Sequence, residues 1–129
     1  MGSIFSKIVA GEIPCHKVAE DENHLAFLDI NPNAVGHTLC IPKKETDKLF
    51  DLSAEEYSAL MGFSRKVALA IEKAVPCNRV GLMVIGLEVP HAHVHLIPLQ
   101  EMADANFKNK VNQTPEEFVA MAKKISEKL

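Results

Sequence analysis

The stretch Val89-Pro90-His91-Ala92-His93-Val94-His95-Leu96-Ile97-Pro98-Leu99 decides the reading of this chain, because three of its six histidines stand there at alternate positions between apolar residues. On an extended strand, side chains alternate between faces. His91, His93 and His95 therefore point one way, and Ala92, Val94 and Leu96 the other. The apolar set suits a core, while the imidazoles form a row spaced roughly 6.6–6.8 Å apart along the strand. Repulsion opposes charging them together, a cost that a purely structural row would carry. The same repulsion keeps a ring neutral near pH 7, as a nucleophile toward phosphorus requires, and a neighbouring imidazole can protonate the departing group. A metal-binding reading stands beside it, with Zn or Fe held by the row and His37, Glu88 or Glu101 as a further ligand.

The rest of the chain argues against a metal-binding β-barrel. Ser53 and Glu56 form a capping box, no Pro intervenes before Pro76, and Leu60, Phe63, Val67, Leu69, Ala70, Ile71 and Ala74 make one apolar face. A helix over 53–75 runs roughly 34 Å, which an all-β cupin-like architecture does not contain. Ile4, Phe5, Ile8 and Val9 predict a short helix stopped at Gly11. HKVAED (16–21), HLAFLDI (24–30) and HTLCIP (37–42) read as strands, with the turn-rich NPNAVGH between the last two. RVGLMVIGL (79–87) and HAHVHLIPL (91–99) read as two more. Thr114-Pro115-Glu116-Glu117 caps a C-terminal helix. His16 and His24, near strand ends, are read as structural. The expectation is one α+β domain over residues 1–129 around an antiparallel sheet.

With 129 residues, 47% apolar composition and a net charge of −3, the chain has the material for one hydrophobic core. No basic run is longer than the doublets Lys43-Lys44 and Lys123-Lys124, which argues against extended nucleic acid as a partner. Cys15, Cys40 and Cys77 are odd in number and widely spaced, pointing to reduced thiols and a cytoplasmic setting. Neither a signal peptide nor a membrane span is expected. The fit of Met1-Gly2 through Ser6 to an acylation pattern is read as chance.

His91-Ala92-His93-Val94-His95-Leu96-Ile97 resembles the histidine triad (HIT) signature, three histidines separated by apolar residues. SIFSKIVAGEIP and AFLDINPNAVGHTLCIPKKE resemble the family's N-terminal and central blocks, so the likeness covers residues 3 to about 99. Residues 100–129 form an extension expected to cover the mouth of the site or extend a dimer contact. The resemblance implies a HIT-like fold, a five-stranded antiparallel sheet with a long helix and shorter flanking helices, dimerising into a ten-stranded sheet. It implies hydrolysis of 5′-substituted nucleoside monophosphates, phosphoramidates above all, at the α-phosphate, with no cofactor. His93 would be the nucleophile, His95 would contact phosphate and assist the leaving group, His91 would orient the site, and His37 would support the network. Asp29 would accept the ribose hydroxyls. Phe5, Ile8, Phe27, Leu28 and Ile30 would wall a purine pocket. A histidine at the third triad position favours hydrolysis over nucleotidyl transfer. Diadenosine polyphosphate hydrolysis and non-catalytic nucleotide binding stay open as alternatives.

Two departures from the family pattern carry expectations. Ser3 and Ser6 stand where many bacterial members have Cys-x-x-Cys, so no structural zinc is expected, hydroxyls being poor zinc ligands. Gly86-Leu87 stands where a Gly-Gln pair is usual. The phosphate site therefore has fewer polar side chains, or uses backbone N–H groups from Val89 to His91.

Overall fold

The computed structural model describes residues 2–129; Met1, which opens the chance acylation pattern, lies outside them. Ser3 accepts the Ser6 amide and starts α1 (Ile4–Val9), and Gly11, at a φ of +80°, turns the chain away after it. Three strands follow, β1 (Lys17–Glu20), β2 (His24–Leu28) and β3 (Thr38–Pro42), then α2 (Ala54–Ala74). Both halves of the Ser53/Glu56 capping box are formed. β4 (Arg79–Met83), β5 (Val94–Leu99) and α3 (Pro115–Ser126) complete the order, the last opened by the Thr114/Glu117 box with Pro115 in its first turn. The five strands make one antiparallel sheet in the order β1-β2-β3-β5-β4, so the expected α+β, HIT-like fold is the one observed.

Alternation along the central strands builds two cores. Ala26, Leu28, Cys40, Val94 and Leu96 pack with Leu60, Val67 and Ile71 of α2 and with Ile125 of α3. Leu25, Phe27, Leu39 and Ile41 pack on the other face against Phe5 of α1. Leu60, Val67 and Ile71 are wholly buried, each worth about 1.5–3 kcal/mol of transfer free energy. α3 also covers the β1 edge, where the Ser126 hydroxyl donates to the Val18 carbonyl at 2.7 Å. β4 forms the other edge, with Leu82 half exposed. No helix among the described residues is long and apolar enough to cross a membrane.

The last two strands are shorter than the sequence predicts. β4 stops at Met83 rather than 87, and β5 starts at Val94 rather than 91, leaving residues 84–93 as a connection. The cause lies in the partner strand. β3 and β5 pair from Thr38↔Leu96 to Cys40↔Val94, and β3 ends at Pro42, which has no N–H to continue a ladder. The backbone of 91–93 is bonded elsewhere: Ala92 N–H donates to the Thr46 carbonyl at 2.7 Å and His91 N–H to the Val89 carbonyl at 2.8 Å.

Gly36, directly before His37, holds a φ of +97°, and a Cβ there would lie 3.0 Å from Val75 Cγ2 and 3.2 Å from Pro98 Cγ. Gly36→Ala should cost roughly 1–2 kcal/mol from the backbone alone, read as a lowered denaturant midpoint with unchanged slope. An unchanged midpoint would show that the turn relaxes freely.

Candidate active site

Because His91 and His93 precede the strand, the imidazoles do not form the evenly spaced row expected from the sequence. The rings of His93 and His95 are 4.9 Å apart and meet at 65°. All three histidines are nonetheless buried, as is His37, and Val94 and Leu96 do face the helix-side core.

Backbone groups have fixed donor or acceptor roles, and they select the neutral tautomer of each ring in the cluster. Asn33 N–H donates to His37 Nδ1 at 3.0 Å, so the proton of a neutral His37 is on Nε2. His37 Nε2 lies 2.9 Å from His95 Nδ1. His95 Nδ1 therefore accepts, and its own proton sits on Nε2. The His93 ring is set from the opposite direction: its Nδ1 is 2.7 Å from the His91 carbonyl, which only accepts. A neutral His93 thus carries its proton on Nδ1 and keeps a lone pair on Nε2. Burial, followed by the charges of His95 and Lys110, pushes the His37 pKa down to about 3. Burial, followed by His93 and Lys110, takes His95 down to about 4.

His91 is anchored rather than presented. Its Nε2–H donates to the Pro42 carbonyl at 2.7 Å, so Nδ1 accepts from the Ser3 hydroxyl at 2.8 Å. The Ser6 hydroxyl donates to Glu45 Oε1 at 2.6 Å, and the Ser3 amide donates to the same oxygen. Burial holds the His91 pKa below its ordinary value. The two serines that replace the expected thiols thus tie α1 to the histidine whose carbonyl orients His93.

His93 and His95 open on a cleft of about 520 Å³, a volume suited to a small-molecule ligand. Phe5 stacks edge-on to Phe27 at 5.7 Å and to His93 at 4.9 Å. Ile8 and Val89 pack on the same cluster, and Ile30 stands at the rim, 76% exposed. Leu28 borders the cleft while packing with the helix-side core. Asp29 serves two ends: Oδ1 accepts the Asn31 amide at 2.9 Å, and Oδ2 lies 3.5 Å from His37 Nε2. Burial raises its pKa. His16 and His24 lie apart from this group, stacked on Phe118 and Phe63.

Asp29, His37 and His95 offer ligand atoms within 4.8 Å of one another, so a cation could be held there. The cost is specific. His37 Nδ1 is already occupied by the Asn33 amide, so binding metal through Nε2 would either move the proton to Nδ1 and break that bond or require an imidazolate.

Asn33, Glu45, Phe107 and Lys110 join the site without having been read from the sequence. Asn33 orients His37 through its backbone amide, which no residue pattern marks. Phe107 stacks edge-on to His95 at 4.8 Å, and its signal was the one aromatic in the polar segment between β5 and α3. Lys110 donates to Asn33 Oδ1 at 2.8 Å and lines the cleft.

A family profile described as the HIT domain matches residues 10–102. Adenosine 5′-monophosphoramidase hnt1 of Schizosaccharomyces pombe is 38% identical over 100% of this chain and 99% of its own. Adenylylsulfatase HINT3 of Arabidopsis thaliana is 35% identical over 76% of this chain and 52% of its own. A HIT-like protein from Bartonella henselae, a solved structure, superposes with a TM-score of 0.87 and 35% identity over 98% of this chain and 96% of that one.

Histidines buried neutral make unfolding absorb protons. The stability this carries is complete above the unfolded value of 6.5 and declines as pH falls toward the folded values of about 3 and about 4. Between pH 6.5 and 5, His37 and His95 should each remove roughly 1–2 kcal/mol, read by denaturant titration. The raised pKa of Asp29, caused by burial, has the opposite sign. Constant stability down to pH 5 would refute the neutral assignments.

Proposed function

The chain belongs to the HIT family, on its nucleoside phosphoramidase-like branch, and from that premise we propose that it hydrolyses 5′-substituted nucleoside monophosphates at the α-phosphate. The observation that carries this reading is the 2.7 Å contact from His93 Nδ1 to the His91 carbonyl, which puts the proton of the neutral tautomer on Nδ1 and leaves Nε2 positioned as the nucleophilic atom. The name of the fission yeast relative supports phosphoramidates as substrates.

In this reading a purine lies between Phe5, Ile8, Phe27 and Ile30, and the ribose hydroxyls donate to Asp29. His93 Nε2 attacks phosphorus, the P–N bond breaks, and its electron pair stays on nitrogen. His95 Nδ1 is already filled by the proton of His37, so His95 acts through its Nε2–H as a hydrogen-bond donor to the departing atom or a phosphate oxygen. The amine takes its proton from solvent at the open mouth. Water then attacks the nucleotidyl-His93, breaking the P–Nε2 bond, releasing the nucleoside monophosphate and returning one proton to solvent. No cofactor enters these steps.

A second reading, hydrolysis of an anhydride rather than a phosphoramidate, shares every residue and draws support from the Arabidopsis relative named for adenylylsulfate. Homodimerisation through β4 into a ten-stranded sheet belongs to the same proposal, supported by an edge strand on which Leu82 is 51% exposed. The three free thiols support a cytoplasmic setting.

Adenosine 5′-phosphoramidate should be converted to the monophosphate without added metal. His93→Ala should lower the rate at least about a thousandfold, the scale seen when a covalent nucleophile is removed, while keeping monophosphate affinity. An unchanged rate would remove His93 as nucleophile. Wild-type protein that binds monophosphate but turns over neither phosphoramidate nor anhydride would make this a nucleotide-binding protein instead.

A further inference from the structure

The connection 84–93, on one wall of the cleft, brings mainly apolar side chains: Ile85 is 46% and Leu87 89% exposed there. The only side-chain charge it adds is Glu88, itself exposed. With Asp29 the cleft has two acids, which would repel a phosphate group. Among the described residues lining it, Lys110 is the only lysine or arginine.

Lys110 comes from the extension after β5, and several bonds hold that segment against the loop between β2 and β3. Asn33 Nδ2–H donates to the Asp104 carbonyl at 3.2 Å, Lys110 Nζ donates to Asn33 Oδ1 at 2.8 Å, and Val111 N–H donates to the Pro32 carbonyl at 3.0 Å. The Lys110 ammonium also lies 5.1 Å from the centre of the Phe107 ring, and that ring packs edge-on to His95. The cation therefore stands at the His95 end of the site, where the group leaving phosphorus is to be received. Asn33 joins it to the imidazole chain, holding Lys110 by its side chain and His37 by its amide.

We propose that Lys110 is a binding residue for the substrate's anionic 5′-substituent, so that the protein favours nucleotides whose leaving group carries its own negative charge, a phosphate or a sulfate. The apolar loop leaves the electrostatic part of phosphate recognition to the opposite wall. On binding, the ammonium exchanges the neutral Asn33 oxygen for a charged acceptor, a stronger partner. The inference rests on the nucleotide-hydrolase reading for the identity of the ligand, but it is tested by binding alone, so failure of catalysis and failure of this assignment are separately visible.

The experiment is titration calorimetry of the full chain with adenosine, AMP and ADP, the β-phosphate of ADP standing in for an anionic leaving group. Wild type should bind ADP more tightly than AMP, and more so at low salt. Lys110→Met, which keeps an apolar stem against Phe107, should weaken ADP about tenfold, the scale of one charge pair at a partly exposed site. Adenosine affinity should stay constant, and Lys110→Arg should retain most of the ADP preference. Repeating the titration with adenosine 5′-phosphosulfate on His93→Ala protein separates the two anions, the tighter ligand naming the natural group. ADP affinity unchanged in Lys110→Met would overturn the assignment. So would an equal loss for adenosine, which would show Lys110 only propping the loop.

Discussion

One hydrogen bond of fixed direction, from the Asn33 amide to His37 Nδ1, governs the site. A backbone N–H cannot accept, so His37 must turn its proton toward His95, and His95 must turn its own outward. Burial makes the alternative of charging either ring costly. A second backbone group, the His91 carbonyl, imposes the reverse tautomer on His93. Neighbouring imidazoles of the same chemistry thereby become unlike: one presents a lone pair to the cleft and the other an N–H. A nucleophile and a hydrogen-bond donor are what a two-step displacement at phosphorus requires, and neither depends on a charged histidine.

The fold supplies the rigidity behind these bonds. Val94 and Leu96 are locked into the α2 core, fixing His95 between them in register with Leu39. Pro42 ends the ladder and gives its carbonyl to His91, and Ser3, Ser6 and Glu45 complete that anchor from α1 and the loop after β3. Hydroxyls and a carboxylate make this tie by hydrogen bonding. The tie is exposed at Glu45 and buried at His91, so its strength is concentrated where it positions the carbonyl that holds His93.

Much of this was legible in the sequence because the signals are local. The capping residues Ser53 and Thr114 and the two-sided apolar strands each report a short-range preference that tertiary structure did not override, and the alternating histidines marked the site although His91 and His93 precede the strand. The ends of β4 and β5 were not legible, because they depend on Pro42 in a different strand and on backbone bonds to Thr46. Asn33 looked like any turn residue, its role resting on an amide that every residue but proline has. Phe107 and Lys110 were hidden for another reason: a polar segment without periodicity gives no sign of which wall it will form. His93, His95 and Asp29 line one cleft, while Leu28 turns its side chain mainly into the other core.

The central claim is that backbone groups assign opposite tautomers to His93 and His95, and long-range proton–nitrogen correlation NMR of the histidine side chains at pH 7 measures this directly. The account predicts His93 protonated at Nδ1, and His37, His91 and His95 neutral and protonated at Nε2. A His93 ring carrying its proton on Nε2, or a doubly protonated His95, would contradict it.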